Sequence, residues 1–159
     1  MRWLSLLTTA TVLAAMPAAA QIREADVRAF VARQEAAWNA SQLDRYFASF
    51  TADATFTDQA YVGDKPPVPY GASTLDQARA NARKAFAGTP TPREAGRVLR
   101  VEMAPDGRSG RVVSVVGSTV WDQGRARRLC ATRVQALIET NAGLRAVSRT
   151  DTYVKCRRG

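Results

Sequence analysis

Residues 38–58 read WNASQLDRYFASFTADATFTD, and the chain turns here from helices to strands. Upstream, residues 25–39 carry Val27, Phe30, Val31, Gln34 and Trp38 at spacings of three and four, which line one face of an amphipathic helix ending at the tryptophan. Ser41 then predicts the N-cap of a second helix. Asp44 falls in its first turn, where the helix dipole favours an acid, and Leu43, Tyr46, Phe47 and Phe50 occupy adjoining faces. A short strand at 54–58 follows, ending on Asp58.

Beyond it, residues 63–71 (GDKPPVPYG) hold three prolines and two glycines, which predicts an irregular surface loop. Ser73 or Thr74 caps a third helix that ends near Gly88. After a linker at 89–92, β-rich stretches at 97–103, 111–121, 127–140 and 144–156 are separated by Pro105-Asp106-Gly107, Asp122-Gln123-Gly124 and Asn141-Ala142-Gly143. Four strands joined by short turns make an antiparallel meander. The fold class is therefore α+β, with three N-terminal helices packed on a curved antiparallel sheet, and residues 21–159 form one domain.

The last hairpin has a definite expected register. With a three-residue loop at 141–143, facing residues sum to 284, which sets Arg133 opposite Asp151 and Glu139 opposite Arg145. The other face then collects Cys130, Thr132, Val134, Ala136 and Ile138 against Ala146, Ser148, Thr150, Thr152 and Val154. Half-burial predicts that the helices cover this uncharged face and that the charged pairs look outward.

The chain has 159 residues, with 23 Lys plus Arg against 14 Asp plus Glu, a formal charge of +9 and no histidine. Without histidine, Ser-His-Asp and Cys-His catalysis and His-ligated metal sites are excluded. No P-loop, dinucleotide fingerprint, calcium loop or cluster of metal ligands occurs, so no metal and no cofactor are expected. Residues 1–20 (MRWLSLLTTATVLAAMPAAA) have one early positive charge, an apolar run and small residues at Ala18 and Ala20, which predicts a signal peptide cleaved before Gln21. The run is shorter than a membrane span and no later one is long enough, so stable membrane insertion is not expected, and the product should be periplasmic or secreted. There, Cys130 and Cys156 are expected to form one disulfide, although the register places Cys130 opposite Val154 and a bulge or twist is needed to close the bond. The basic residues concentrated in the last third read as a solvated or dimer-forming face, with attraction to anionic lipid headgroups or lipopolysaccharide as the residual alternative, and export argues against a nucleic-acid partner.

The stretch at 38–58 resembles the nuclear transport factor two-like superfamily, which includes ketosteroid isomerases and polyketide cyclases. The resemblance rests on the Trp-ending first helix, the Leu43-Asp44 start of the second, the Phe50-Thr51-Ala52-Asp53-Ala54 corner and Phe56-Thr57-Asp58. It implies a sheet wrapped around helices into a cone with a pocket at its open end, and pairing through the sheet as a homodimer. It also places Asp58 at the position of the general base in the isomerases of the superfamily. A carboxylate at a strand end facing a mostly apolar pocket has its charged form disfavoured and its basicity raised. Phe56, Trp38 and Trp121 are the expected walls, with Tyr61 and Tyr70 flanking the proline-rich loop near the mouth. The isomerase tyrosine position holds Gln34, and the strands offer no unpaired acid, which argues against steroid isomerisation.

Two functions remain open on these residues. In one, the pocket binds a small, largely apolar molecule, with Asp58 as polar anchor or base and Gln34 as donor. In the other, the domain is a non-catalytic dimeric interaction module of the cell envelope, and Asp58 only closes the turn that follows it.

Overall fold

The helical period at 25–39 produces α1 (Glu24–Asn39) in the computed structural model, which describes residues 21–122 and 124–156. The expected leader at 1–20 lies outside the described residues. Helix α1 buries Val27, Phe30, Gln34 and Ala37, with Val31 and Trp38 packed against the core. The second helix, α2 (Leu43–Phe47), is only five residues long. Its N-cap is Gln42 rather than Ser41, because Ser41 adopts a left-handed φ of 58° that reverses the chain between the helices. Tyr46 and Phe47 of α2 are buried, as predicted.

Strand β1 (Phe50–Ala60) is longer than expected, and β2 (Val68–Thr74) takes up the end of the anticipated loop. Thr74 caps α3 (Leu75–Phe86): its Oγ1 accepts from the Gln77 amide at 3.3 Å, and the Gln77 side chain accepts from the Thr74 N–H at 2.9 Å. The remaining strands are β3 (Arg93–Met103), β4 (Ser109–Asp122), β5 (Arg125–Thr140) and β6 (Gly143–Val154).

All six strands form one sheet in the order β2-β1-β6-β5-β4-β3. The expected four-stranded meander is its β3-to-β6 half. Two expectations are corrected here. The sheet is not wholly antiparallel, because β1 lies parallel to β6. The helices do not all precede it either, since α3 sits in the chain between β2 and β3.

The hairpin register holds from Cys130↔Val154 to Ala136↔Ser148, including Arg133↔Asp151. A bulge between Ala136 and Leu137 then shifts it by one, setting Glu139 against Leu144 and Arg145 against Ile138. Extended across the sheet, one row runs Ser114, Arg133, Asp151, Asp58 and the next runs Val112, Gln135, Arg149, Phe56. These rows lie under the helices, so the predicted burial is reversed. The face carrying Arg133 and Asp151 is covered, and the face with Thr132, Val134, Ser148 and Thr150 is the outer one; past the bulge, Ala146, expected on the same face as these four, is instead fully buried beside Leu137. Burial is tolerated because the charges compensate one another. Arg133 pairs with Glu94 at 2.5 Å and Asp151 at 2.7 Å, with side chains only 11%, 10% and 3% exposed.

The disulfide Cys130–Cys156 is formed with a Cα–Cα distance of 5.2 Å. Strand β6 ends at Val154, so Cys156 is no longer held at ladder spacing and can reach Cys130.

Candidate functional site

Five aromatic residues from the 38–58 stretch pack together, and three of them, Trp38, Phe47 and Phe56, line a cavity. Trp38 packs edge-on to Tyr46 at 5.0 Å and to Phe86 at 4.8 Å, while Phe50 and Phe56 lie 4.8 Å apart. Because α3 turns small residues toward the sheet, this lining does not close. Ala78, Ala82 and Ala85 of α3 face Trp38, Phe47 and Phe56 across a cavity of about 260 Å³. Its apolar side continues into Val116, Val120, Leu129 and Ala131. The opposing wall is charged, with Asp58, Glu94, Asp151, Arg133 and Arg149.

Arg133 is occupied by its two carboxylates. Arg149 donates to the Tyr46 hydroxyl at 2.7 Å, lies 3.5 Å from Asp151 and stacks over the Phe56 ring at 5.1 Å. Asp58 has no ion-pair partner among the described residues and is half-buried. Its carboxyl is held above the ordinary range, first by burial, with Asp151 beside it adding repulsion; Arg149 and hydrogen bonding from Tyr153 pull the other way. Asp151 goes in the opposite direction: burial pushes it up, but Arg149 and Arg133 outweigh that and hold it low. The Tyr153 phenol is raised well above its usual value, by burial and then by Asp58 and Asp151, so it stays protonated as a donor at the cavity wall. Two carboxylates in one row are thus driven apart in basicity by their neighbours.

The structure brings together Asp58, Trp38 and Phe56 at this cavity and leaves four other expected residues, Gln34, Trp121, Tyr61 and Tyr70, outside its lining. The Gln34 amide is committed internally, donating to Ser49 Oγ at 2.7 Å and accepting from Gln135 at 3.0 Å. Trp121 sits on β4 in step with Val113 and Val115, whose alternation directs them to the outer face, not to the cavity. Tyr61 is 58% exposed beyond the end of β1, and Tyr70 is exposed beside Tyr153, with ring centroids 6.2 Å apart. The reading of the strands also missed Glu94, Arg133, Arg149, Asp151 and Tyr153 as wall residues. The register arithmetic was the available signal: it paired Arg133 with Asp151 correctly, erred in the face, and failed in pairing only past the bulge, at Glu139 and Arg145. Among the described residues, no group of three His, Cys, Asp or Glu side chains is placed to hold a metal ion.

No protein-family model and no curated protein matches the chain. Solved structures do share its fold. A ketosteroid isomerase-like protein from Erwinia carotovora matches with a TM-score of 0.61 at 14% identity, over 83% of this chain and 96% of that one. The beta subunit of the benzoate 1,2-dioxygenase from Burkholderia mallei matches at 0.63 and 18% identity, over 86% and 93%. Aln2 from Streptomyces matches at 0.61 and 23% identity, over 80% and 87%. The structural neighbours are thus cone-fold proteins of the ketosteroid isomerase-like, nuclear transport factor two-like kind. At these identities the likeness defines the fold, and the function has to be argued from the site.

Proposed function

We propose that this chain is an exported domain that binds a small, largely apolar molecule in the cavity beside Asp58, with Asp58 as polar anchor and proton acceptor. The observation that carries the reading is a half-buried carboxylate without an ion-pair partner, facing an apolar wall across an open space. The volume lies just under the usual range of about 300–1,000 Å³ for ligand pockets, which favours a compact ligand. Export rests on the leader pattern at 1–20 and fits the disulfide. The fold shared with a ketosteroid isomerase-like protein supports a reading in which the cavity takes a small molecule.

Native mass spectrometry of the protein purified from its own envelope fraction should show a co-purifying small molecule. Asp58→Asn should weaken its retention by about tenfold or more, the equivalent of one charge-assisted hydrogen bond. The melting temperature should stay unchanged or rise slightly. The sign follows from the raised carboxyl of Asp58: ionising it destabilises the folded chain as pH rises through the folded-state value, and asparagine removes that penalty. A large loss of stability with ligand retention intact would make Asp58 a structural residue.

A homodimer through the outer face is part of the proposal. The rows Val113–Val134–Thr150 and Val115–Thr132–Thr152 give the centre of that face an uncharged strip, bordered on β3 by Arg100 and Arg97. Val134→Arg should convert a dimer to a monomer in sedimentation velocity, and a wild-type protein that sediments as a monomer would remove this element.

A further inference from the structure

A second concavity lies away from Asp58, where the corner between α2 and β1 meets the β5–β6 turn. The parallel pairing of Phe50 with Ala146 and the hydrogen bond from Ala146 N to Ser49 O at 2.9 Å bring these segments together. The space measures about 330 Å³, and Arg33 of α1, Arg45 of α2 and Arg145 of β6 all line it, with no carboxylate among its walls. Buried Gln34, tied to Ser49, lies at its inner side.

These guanidinium groups lack the partners that arginines find elsewhere in the fold. Arg23, Arg28, Arg83, Arg100, Arg127, Arg133 and Arg149 each meet a carboxylate. Among the described residues Arg33, Arg45 and Arg145 take part in no ion pair. Arg45 reaches only the Gln42 side-chain oxygen at 3.3 Å, and Arg145 only the Leu144 carbonyl at 3.0 Å. Other arginines of this basic chain are also unpaired, but these three come from three elements and share one hollow. The β-bulge contributes directly. By shifting the register after Ala136 it sets Arg145 opposite Ile138 instead of Glu139, its opposite in the unshifted ladder. Arg33 also borders a neighbouring depression with Asp26 and Glu139, but Asp26 is held by Arg23 at 2.8 Å.

We propose that this hollow is a binding site for a phosphate group, free or carried on a lipid headgroup. Planar guanidinium forks match the oxygens of an oxyanion two at a time, and three positive groups suit a multiply charged anion better than a single carboxylate. Each arginine keeps most of its five N–H donors uncommitted in the free protein.

Isothermal titration of the purified protein with inorganic phosphate at low ionic strength tests the free source. Co-sedimentation with phosphatidylglycerol vesicles, against phosphatidylcholine vesicles, tests the lipid source. Arg45→Ala and Arg145→Ala should each weaken whichever binding occurs by about tenfold or more. Arg97→Ala, an exposed arginine on β3, should leave it unchanged. Circular dichroism establishes that each variant is folded. Absence of both phosphate heat and vesicle binding would overturn the proposal. So would an Arg97→Ala effect as large as that of Arg145→Ala, since attraction would then follow net charge alone.

Discussion

Arg133→Ala is expected to destabilise the folded chain by about 3–5 kcal/mol, which strands the buried Glu94 and Asp151 without their shared cation. Against a typical total of about 5–15 kcal/mol this is a large fraction, and the melting temperature should drop by roughly 10–20 °C. The pH dependence separates this mechanism from simple loss of packing. In the wild-type protein the Asp151 carboxyl is held below its ordinary value. Its stabilising contribution is therefore present above the unfolded value of about 4 and lost as pH falls through the lower folded value. With Arg133 removed, only Arg149 still holds the Asp151 carboxyl down, so its value should rise toward the ordinary range and the variant should lose less stability than the wild type as pH falls. Asp151→Asn in the Arg133→Ala background should recover part of the loss at neutral pH. A loss under about 1 kcal/mol with no such pH trend would mean that water, not Arg133, compensates the two acids.

Replacing both Cys130 and Cys156 with serine is expected to cost about 3.5 kcal/mol, from the chain-entropy value for a closed loop of this sequence separation, 26. Denaturant titration of the oxidised protein, the reduced protein and the double variant measures it. Reduced wild type and double variant should coincide, with the slope of the transition steeper than in the oxidised form because the unfolded chain is no longer tied. The intact mass of protein recovered from the envelope bears on export as well. A chain beginning at Gln21 and lighter by two hydrogens would join leader cleavage to the disulfide, whereas a chain still carrying residues 1–20 would overturn the proposed cleavage and make the segment an anchor.

Much of the architecture was legible because it depends on neighbours close in sequence. The spacing of Val27, Phe30, Gln34 and Trp38 marks a helix wherever that segment ends up, and the Asn141-Ala142-Gly143 turn sets the facing pairs of its own hairpin as far as Ala136. Asp58 was singled out through the resemblance of the 38–58 stretch, and it lines one cavity with Trp38 and Phe56 because the corner that carries them is itself local. Glu94 was not: it sits next to the linker, in a strand whose start is defined by pairing with β4, since Glu94 lies opposite Ser118. The bulge after Ala136 was also invisible, because no proline or glycine marks it. What shows it is the pairing of Leu137 with Ala146.

The amino-acid order determined the helices, the turns, the cysteine pair and, as far as Ala136 and Ser148, which residues of β5 and β6 share a face. Tertiary structure decided which face is covered. Alternation along a strand assigns side chains to two sides but does not say which side the helices occupy, and a charged row looks unfit for burial when a single hairpin is considered. Only when β3 supplies Glu94 to Arg133, and Arg149 joins Arg133 at Asp151, do the charges compensate one another closely enough for that row to turn inward and form the wall of a cavity.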